Sequence, residues 1–134
     1  MQKDAAQAML ATGFAPWVQA LDITVDAIGD ERATLSIPIT DEIARMGGIV
    51  CGQAQATLAD TSMVFACFAA LGGPYPVATT NLDTQFMRPG TGTRLRCEAQ
   101  VVRRGKALLF ARADLFAEPE NKLIASATAT FFQP

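Results

Sequence analysis

The 134-residue chain contains no histidine, one tryptophan, one tyrosine and three cysteines, and only 18% of its residues are charged. Without histidine, one chain cannot assemble a Cys–His or Ser–His–Asp nucleophile system. The common zinc sites lose their main nitrogen ligand, so no metal and no cofactor is expected. Cys51, Cys67 and Cys97 show no short Cys-x-x-Cys spacing, and an odd count argues against a disulfide framework. A reduced, cytoplasmic setting fits best. The formal net charge of −2 does not attract nucleic acid. The longest uninterrupted apolar run, Met63 to Leu71, falls short of the ~18–20 residues that span a bilayer. Met1 to Leu10 carries Gln2, Asp4 and Gln7 and does not read as a signal peptide.

What is present is apolar. The length suits one domain over residues 1–134 with a core of its own. Half the residues are hydrophobic, and a small monomer should carry more charge than this one does. The surplus predicts burial against another chain.

Helix formers over residues 2–12 predict a short helix that Gly13 can end. Pro16 and Trp17 then lead into a strand at about 21–28. Alternation predicts a second strand at 32–39, joined to the first as a hairpin across Gly29-Asp30. A loop of about nine residues ends in Gly47-Gly48. Residues 52–71 then read as a long helix that is apolar nearly all round, hence buried, and Gly72-Gly73-Pro74 stops it. Four more strands are predicted near 77–87, 93–104, 106–117 and 122–132. The order ββ, one long helix, ββββ predicts an α+β fold in which one sheet wraps around that helix. Cys67 and Cys97 fall on apolar faces and read as core. Met46, Met63 and Met87 read mostly as core too, with Phe65, Phe68 and Phe86, although some can line an apolar pocket.

Gln53, Thr57 and Asp60 share one face of the long helix. A carboxylate on a buried helix costs several kcal/mol unless it is hydrogen-bonded or paired, and burial raises its pKa. One reading is a general base or nucleophile at a site between elements. The other is an Asp that bonds Thr57 or Thr61, or that simply faces solvent. Gly47-Gly48-Ile49-Val50-Cys51-Gly52 runs straight into the same helix. Free N–H groups of a first helical turn can polarise a carbonyl; a plain glycine-containing helix start is the alternative. Gly52 and Asp60 are eight residues apart, about 12 Å along the axis. They cannot touch one small group within a single chain, but two antiparallel helices of a two-fold dimer can bring Gly52 of one chain to Asp60 of the other. Cys51 can be a thiolate at a helix N-terminus, though no histidine can activate it.

The stretch Gly48-Ile49-Val50-Cys51-Gly52-Gln53 through Leu58-Ala59-Asp60 resembles the helix-start signature of hotdog-fold acyl-CoA thioesterases of the PaaI type. That signature is Gly, two residues, His-Gly-Gly, and then a helix with Leu-x-Asp. Phe86-Met87-Arg88-Pro89 is similar to the family's aromatic–Met–x–Pro pattern, and Arg104-Gly105-Lys106 to its Gly-Lys turn. The resemblance spans about residues 20–132. It implies a hotdog fold, a homodimer or homotetramer, and hydrolysis of an acyl-CoA thioester. Asp60 would be the nucleophile or the base, and the Gly52 N–H would polarise the carbonyl. Thr79 would help place water or substrate. Arg88, Arg104 and Lys106 would meet CoA phosphates. Three positions depart from the pattern: Cys51 replaces the histidine, Gln53 the second glycine, and Arg45 a frequent asparagine. Gln53 can donate a hydrogen bond in place of the lost group. Arg45 can pair with Asp60 across a dimer or bind a substrate carboxylate. The alternative function is a hotdog protein that binds acyl-CoA or a related ligand without turnover. A hotdog hydratase would need an Asp–His pair that this chain lacks.

Overall fold

The computed structural model describes residues 1–134. Two helices come first, α1 (Lys3–Gly13) and α2 (Pro16–Gln19), followed by the hairpin β1 (Thr24–Gly29) and β2 (Arg32–Pro38). Two short strands, β3 (Ala44–Arg45) and β4 (Ile49–Val50), precede the long helix α3 (Gly52–Leu71). The chain ends with β5 (Ala78–Phe86), β6 (Arg94–Arg104), β7 (Leu108–Glu118) and β8 (Lys122–Phe132). The six long strands form one antiparallel sheet in the order β1-β2-β6-β7-β8-β5, which wraps around α3. This is the hotdog architecture.

The inner face of the sheet explains the wrapping. Leu35 and Ile37 of β2, Leu95 and Cys97 of β6, and Leu109 and Leu115 of β7 are all buried against the helix. Between them lie small residues: Ala99, Ala111, Ala113, Ala125, Ala127 and Ala129. Their size lets Leu58, Met63 and Phe65 of α3 seat closely, and each such side chain stabilises the fold by about 1.5–3 kcal/mol when fully buried. By length and composition α3 would suit a membrane span, but eleven of its residues are buried by the chain's own sheet. Gly72 ends it in the left-handed conformation (φ 83°), which a side chain would strain, and its N–H donates to the Phe68 carbonyl.

The structure departs from the sequence expectations in three places. The expected loop before α3 holds the small β3–β4 pair, with Ala44 opposite Val50 and Arg45 opposite Ile49; two-residue strands are too short to show alternation. Pro16–Gln19 forms a helical turn, and Asp22 at φ 60° ends the reversal after it, so β1 starts at Thr24 rather than near 21. Met46, Phe86 and Met87 are exposed rather than core, with Met46 93% exposed, whereas Met63, Phe65 and Phe68 are buried.

α3 lies mainly over β2, β6 and β7 and touches β5 least. Eight of the nine β5 residues are exposed; Thr84 is half-buried. β5 pairs only with β8, so its other edge is open. The flank where helix and edge strand part company is where the candidate site lies.

Candidate active site

Asp60 is half-buried on the β5 side of α3, and its Oδ1 accepts a 2.8 Å hydrogen bond from the Thr79 hydroxyl. Oδ2 has no protein partner. Burial pushes the Asp60 carboxyl above its ordinary value of 3.8, and the Thr79 hydrogen bond partly opposes the rise. The reading in which Thr57 or Thr61 satisfies Asp60 is therefore not the one adopted. Thr57 Oγ1 instead bonds back to the Gln53 carbonyl at 2.8 Å.

Thr79 reaches Asp60 because β5 is bulged. Thr79 pairs with Phe131 and Asn81 with Thr130, which leaves Thr80 as the extra residue. The Thr80 hydroxyl fastens the bulge to the Thr130 carbonyl at 3.1 Å. Strict alternation would place Thr79 on the face of Asn81 and Asp83. The bulge moves it to the inner face with Leu82, Thr84 and Phe86.

Around Asp60 is a cleft of about 210 Å³, walled by Phe14, Trp17, Val18, Val64 and Leu82. A larger cleft of about 410 Å³ opens at the start of α3, bordered by Arg45, Val50, Gly52, Gln55, Phe86 and Arg88. Arg88 is placed where the chain leaves β5: the Met87 and Arg88 N–H groups both donate to the Ile124 carbonyl, at 2.8 and 3.1 Å. Arg45 is presented by β3. None of the chain's ion pairs engages either guanidinium.

Cys51 is the N-cap of α3, half-buried, and its side chain makes no capping hydrogen bond. Gln55 is the first residue whose N–H turns back into the helix, to the Cys51 carbonyl at 3.3 Å. The N–H groups of Gly52, Gln53 and Ala54 therefore have no acceptor within the helix. A Cβ at position 52 would lie 3.2 Å from the far end of the exposed Phe86 ring, a tight contact. Gln53 points to solvent as an exposed side chain.

Of the residues singled out from sequence, Asp60 and Thr79 meet directly, and Arg45, Gly52 and Arg88 share the larger cleft. Arg104 and Lys106 do not join them within one chain. The Arg104 guanidinium donates to the Ala70 carbonyl (3.2 Å) at the far end of α3, ~27 Å along the helix from Gly52. Phe86, from the aromatic–Met–x–Pro stretch, borders the larger cleft and lies against Gly52. Two further cleft residues carry no expectation from the sequence. Gln55 is buried, with its Nε2 on the Val50 carbonyl (3.1 Å) and its Oε1 unpartnered. Trp17 walls the smaller cleft at 62% exposure. A glutamine on an otherwise buried helix face was the one available signal. Nothing in local pattern marks Trp17, which α2 carries to the site from outside the sheet. Cys67 and Cys97 are free and buried, and burial pushes both thiols up to about 12, so neither is a nucleophile.

Comparison with known proteins agrees with this fold. The chain superposes on thioesterase superfamily member 2 from zebrafish with a TM-score of 0.88, at 21% identity over 100% of this chain and 99% of that one. It superposes on a thioesterase family protein from Silicibacter pomeroyi with a TM-score of 0.84, at 24% identity over 96% of each chain. A mutant of the phenylacetic acid degradation protein PaaI from Thermus thermophilus gives a TM-score of 0.78, at 22% identity over 90% of this chain and 100% of that one. No curated protein matches the sequence significantly. The profile of the thioesterase superfamily matches residues 47–124, which hold α3, Asp60 and Thr79. This chain belongs to the thioesterase superfamily.

Proposed function

We propose that this protein hydrolyses an acyl-CoA thioester in a site shared by two copies of the chain, Asp60 acting as general base or nucleophile and the Gly52 N–H polarising the carbonyl. One observation carries the reading. A desolvated carboxylate with one free oxygen and an uncapped helix start stand on the same core helix, on the flank that β5 leaves open.

As a base, Asp60 takes a proton from water through Oδ2 while Thr79 holds Oδ1. The water oxygen attacks the thioester carbon, and the developing oxyanion meets the N–H groups at the start of α3. The C–S bond then breaks, and the proton on Asp60 passes to the departing CoA sulfur, leaving free acid and thiol. As a nucleophile, Asp60 would form a mixed anhydride that water opens. Burial favours the base, because it brings the carboxyl pKa closer to the operating pH.

The separation of Gly52 and Asp60 calls for two chains. The open β5 edge, with Leu82 and Phe86 exposed beside it, is the surface a second copy would cover in a homodimer or, doubled, a homotetramer. Arg45 and Arg88 suit CoA phosphates at the larger cleft, where the chain provides them with no acidic partner. Free thiols at all three cysteines agree with a cytoplasmic setting.

The test is free-thiol release from a panel of acyl-CoA esters, with light scattering for mass. Parent protein should release thiol as a multimer, and Asp60→Asn should lose the activity while scattering as the parent does. Tight ester binding with no thiol release from any member would leave the non-catalytic binding reading instead. Full activity from a monomer would defeat the shared site.

A further inference from the structure

Six of the nine residues that line the smaller cleft lie in the part of the chain that matches the family profile, and three do not. Val64 of α3 and Leu82 of β5 fall within residues 47–124, but Phe14, Trp17 and Val18 lie outside them. That outer wall is firmly held. Gln7 of α1 bridges to β1, donating to the Ile23 carbonyl (2.9 Å) and accepting from the Val25 N–H (2.7 Å). The Phe14 ring stacks on the buried Phe65 at 5.6 Å. The Gln19 side chain closes the turn on the Phe14 carbonyl (2.7 Å). Trp17 therefore sits on a pinned turn at the mouth of the cleft, with Asp60 beside it.

The chemistry of this cleft is one-sided. No lining residue is cationic, and Asp60 is the only charged group. Within one chain, an acyl group with its own carboxylate would meet the Asp60 charge and find no counter-charge, since Arg45 stands in the larger cleft. The cleft is small and open at one side: its volume of about 210 Å³ compares with ~150 Å³ for an enclosed apolar cavity that accommodates benzene.

We propose that this cleft is the acyl-selecting subsite, that it takes a compact, uncharged apolar acyl group of ring size or of ~six to eight carbons, and that Trp17 sets its upper size limit. The proposal rests on the reading of Asp60 as the thioester-facing group. Trp17 acts as a specificity-determining wall and takes no part in the bond changes.

Two measurements test it, and the second does not need turnover. The first is kcat/KM for acetyl-, hexanoyl-, benzoyl-, palmitoyl- and succinyl-CoA. Hexanoyl- or benzoyl-CoA should exceed the acetyl, palmitoyl and succinyl esters by about tenfold or more, the scale on which an apolar pocket discriminates. Trp17→Ala should move the optimum toward palmitoyl-CoA by a similar factor, and Trp17→Phe should restore the parent order. An equal fall on every ester in Trp17→Ala, or a parent preference for succinyl-CoA, overturns the proposal. The second uses the fact that Trp17 is the chain's only tryptophan. At 62% exposure it should emit as a largely hydrated indole, and a non-hydrolysable hexanoyl-CoA thioether should shift that emission to the blue saturably, while the succinyl analogue should not. A blue shift without any thiol release keeps this subsite and removes the hydrolysis reading. An emission that ignores both analogues, or that follows protein concentration alone, overturns the subsite whatever the activity.

Discussion

β7 and β5 are both long antiparallel strands of one sheet, yet they use their inner faces in opposite ways. In β7, Leu109, Ala111, Ala113, Leu115 and Ala117 are all buried beneath α3. In β5, the inner-face residues Thr79, Leu82 and Phe86 are exposed and only Thr84 is half-buried. β7 has a strand on each side, and β5 has one. The difference comes from the reach of the helix. One α-helix with its side chains is ~10–12 Å across, and strands stand ~4.8 Å apart, so a single helix cannot cover six. Beyond its reach the inner face of the sheet stops being core. There Leu82 and Phe86 face clefts instead, and the Thr79 hydroxyl meets the Asp60 carboxylate of the helix.

The sharpest way to break this comparison is to remove the carboxylate. Asp60→Asn should lower kcat by about 10²–10⁴-fold, the range attributed to a positioned general base. Its effect on stability should have the opposite sign. Burial raises the Asp60 pKa in the folded state above 3.8, so the folded state holds the proton more tightly than the unfolded one. The group's contribution is fully present below 3.8 and is lost as pH rises through the raised value. Asp60→Asn should thus melt slightly higher than the parent at neutral pH, and the gain should shrink as pH falls toward 3.8. A variant that loses both activity and melting temperature at neutral pH would make Asp60 a structural residue like those of β7.

Leu115→Ala tests the other side. Leu115 is fully buried, and truncation there should cost about 2–5 kcal/mol in denaturant titrations. The fraction that remains folded should keep the parent's kcat. If kcat per folded molecule falls instead, the inner face of β7 also shapes the site and the contrast fails.

These two residues also differ in how far the sequence discloses them. The burial of Leu115 follows from period-two alternation, and the span of α3 from Gly52 to Leu71 follows from an apolar run closed by glycine; both are repeated, local signals. Asp60 is legible as a polar exception on an apolar helix. Its partner is not. Thr79 faces Asp60 only through the bulge at Thr80, and alternation cannot show an inserted residue; the resemblance to a family, not the pattern, places Thr79 at the site. Trp17 escapes for a related reason, and Phe86 is marked by the resemblance rather than by its pattern. Apolar residues beside a cleft look the same in sequence as apolar residues in a core, and only the limited reach of the helix separates them.

Thr79→Val sharpens the contrast at smaller amplitude. The Thr79 hydrogen bond is what holds the Asp60 pKa down against burial. Its loss should move the acid limb of the kcat/KM profile to higher pH and lower the plateau by about tenfold through a mis-set carboxylate, and Thr79→Ser should restore both. Since Thr79 is exposed, the melting temperature should barely change. An unchanged acid limb would mean that this hydrogen bond does not operate on the catalytic form.

Arg104 gives the smallest effect and separates two roles for one side chain. Within the chain its guanidinium serves the C-terminal end of α3 through the Ala70 carbonyl, where a cation also opposes the helix dipole. That role predicts a loss of about 0.3–1 kcal/mol for Arg104→Ala with KM for the acyl-CoA unchanged. The resemblance implies phosphate contact, which in one chain is excluded from the Gly52 cleft by the length of α3 and must be made elsewhere on the assembly. A KM that rises several-fold in Arg104→Ala, and rises more steeply at low salt, would assign the phosphate role. A salt-independent KM equal to the parent's would leave Arg104 as a helix-end residue, and would confine the CoA contacts to the β5 flank where Arg45 and Arg88 stand.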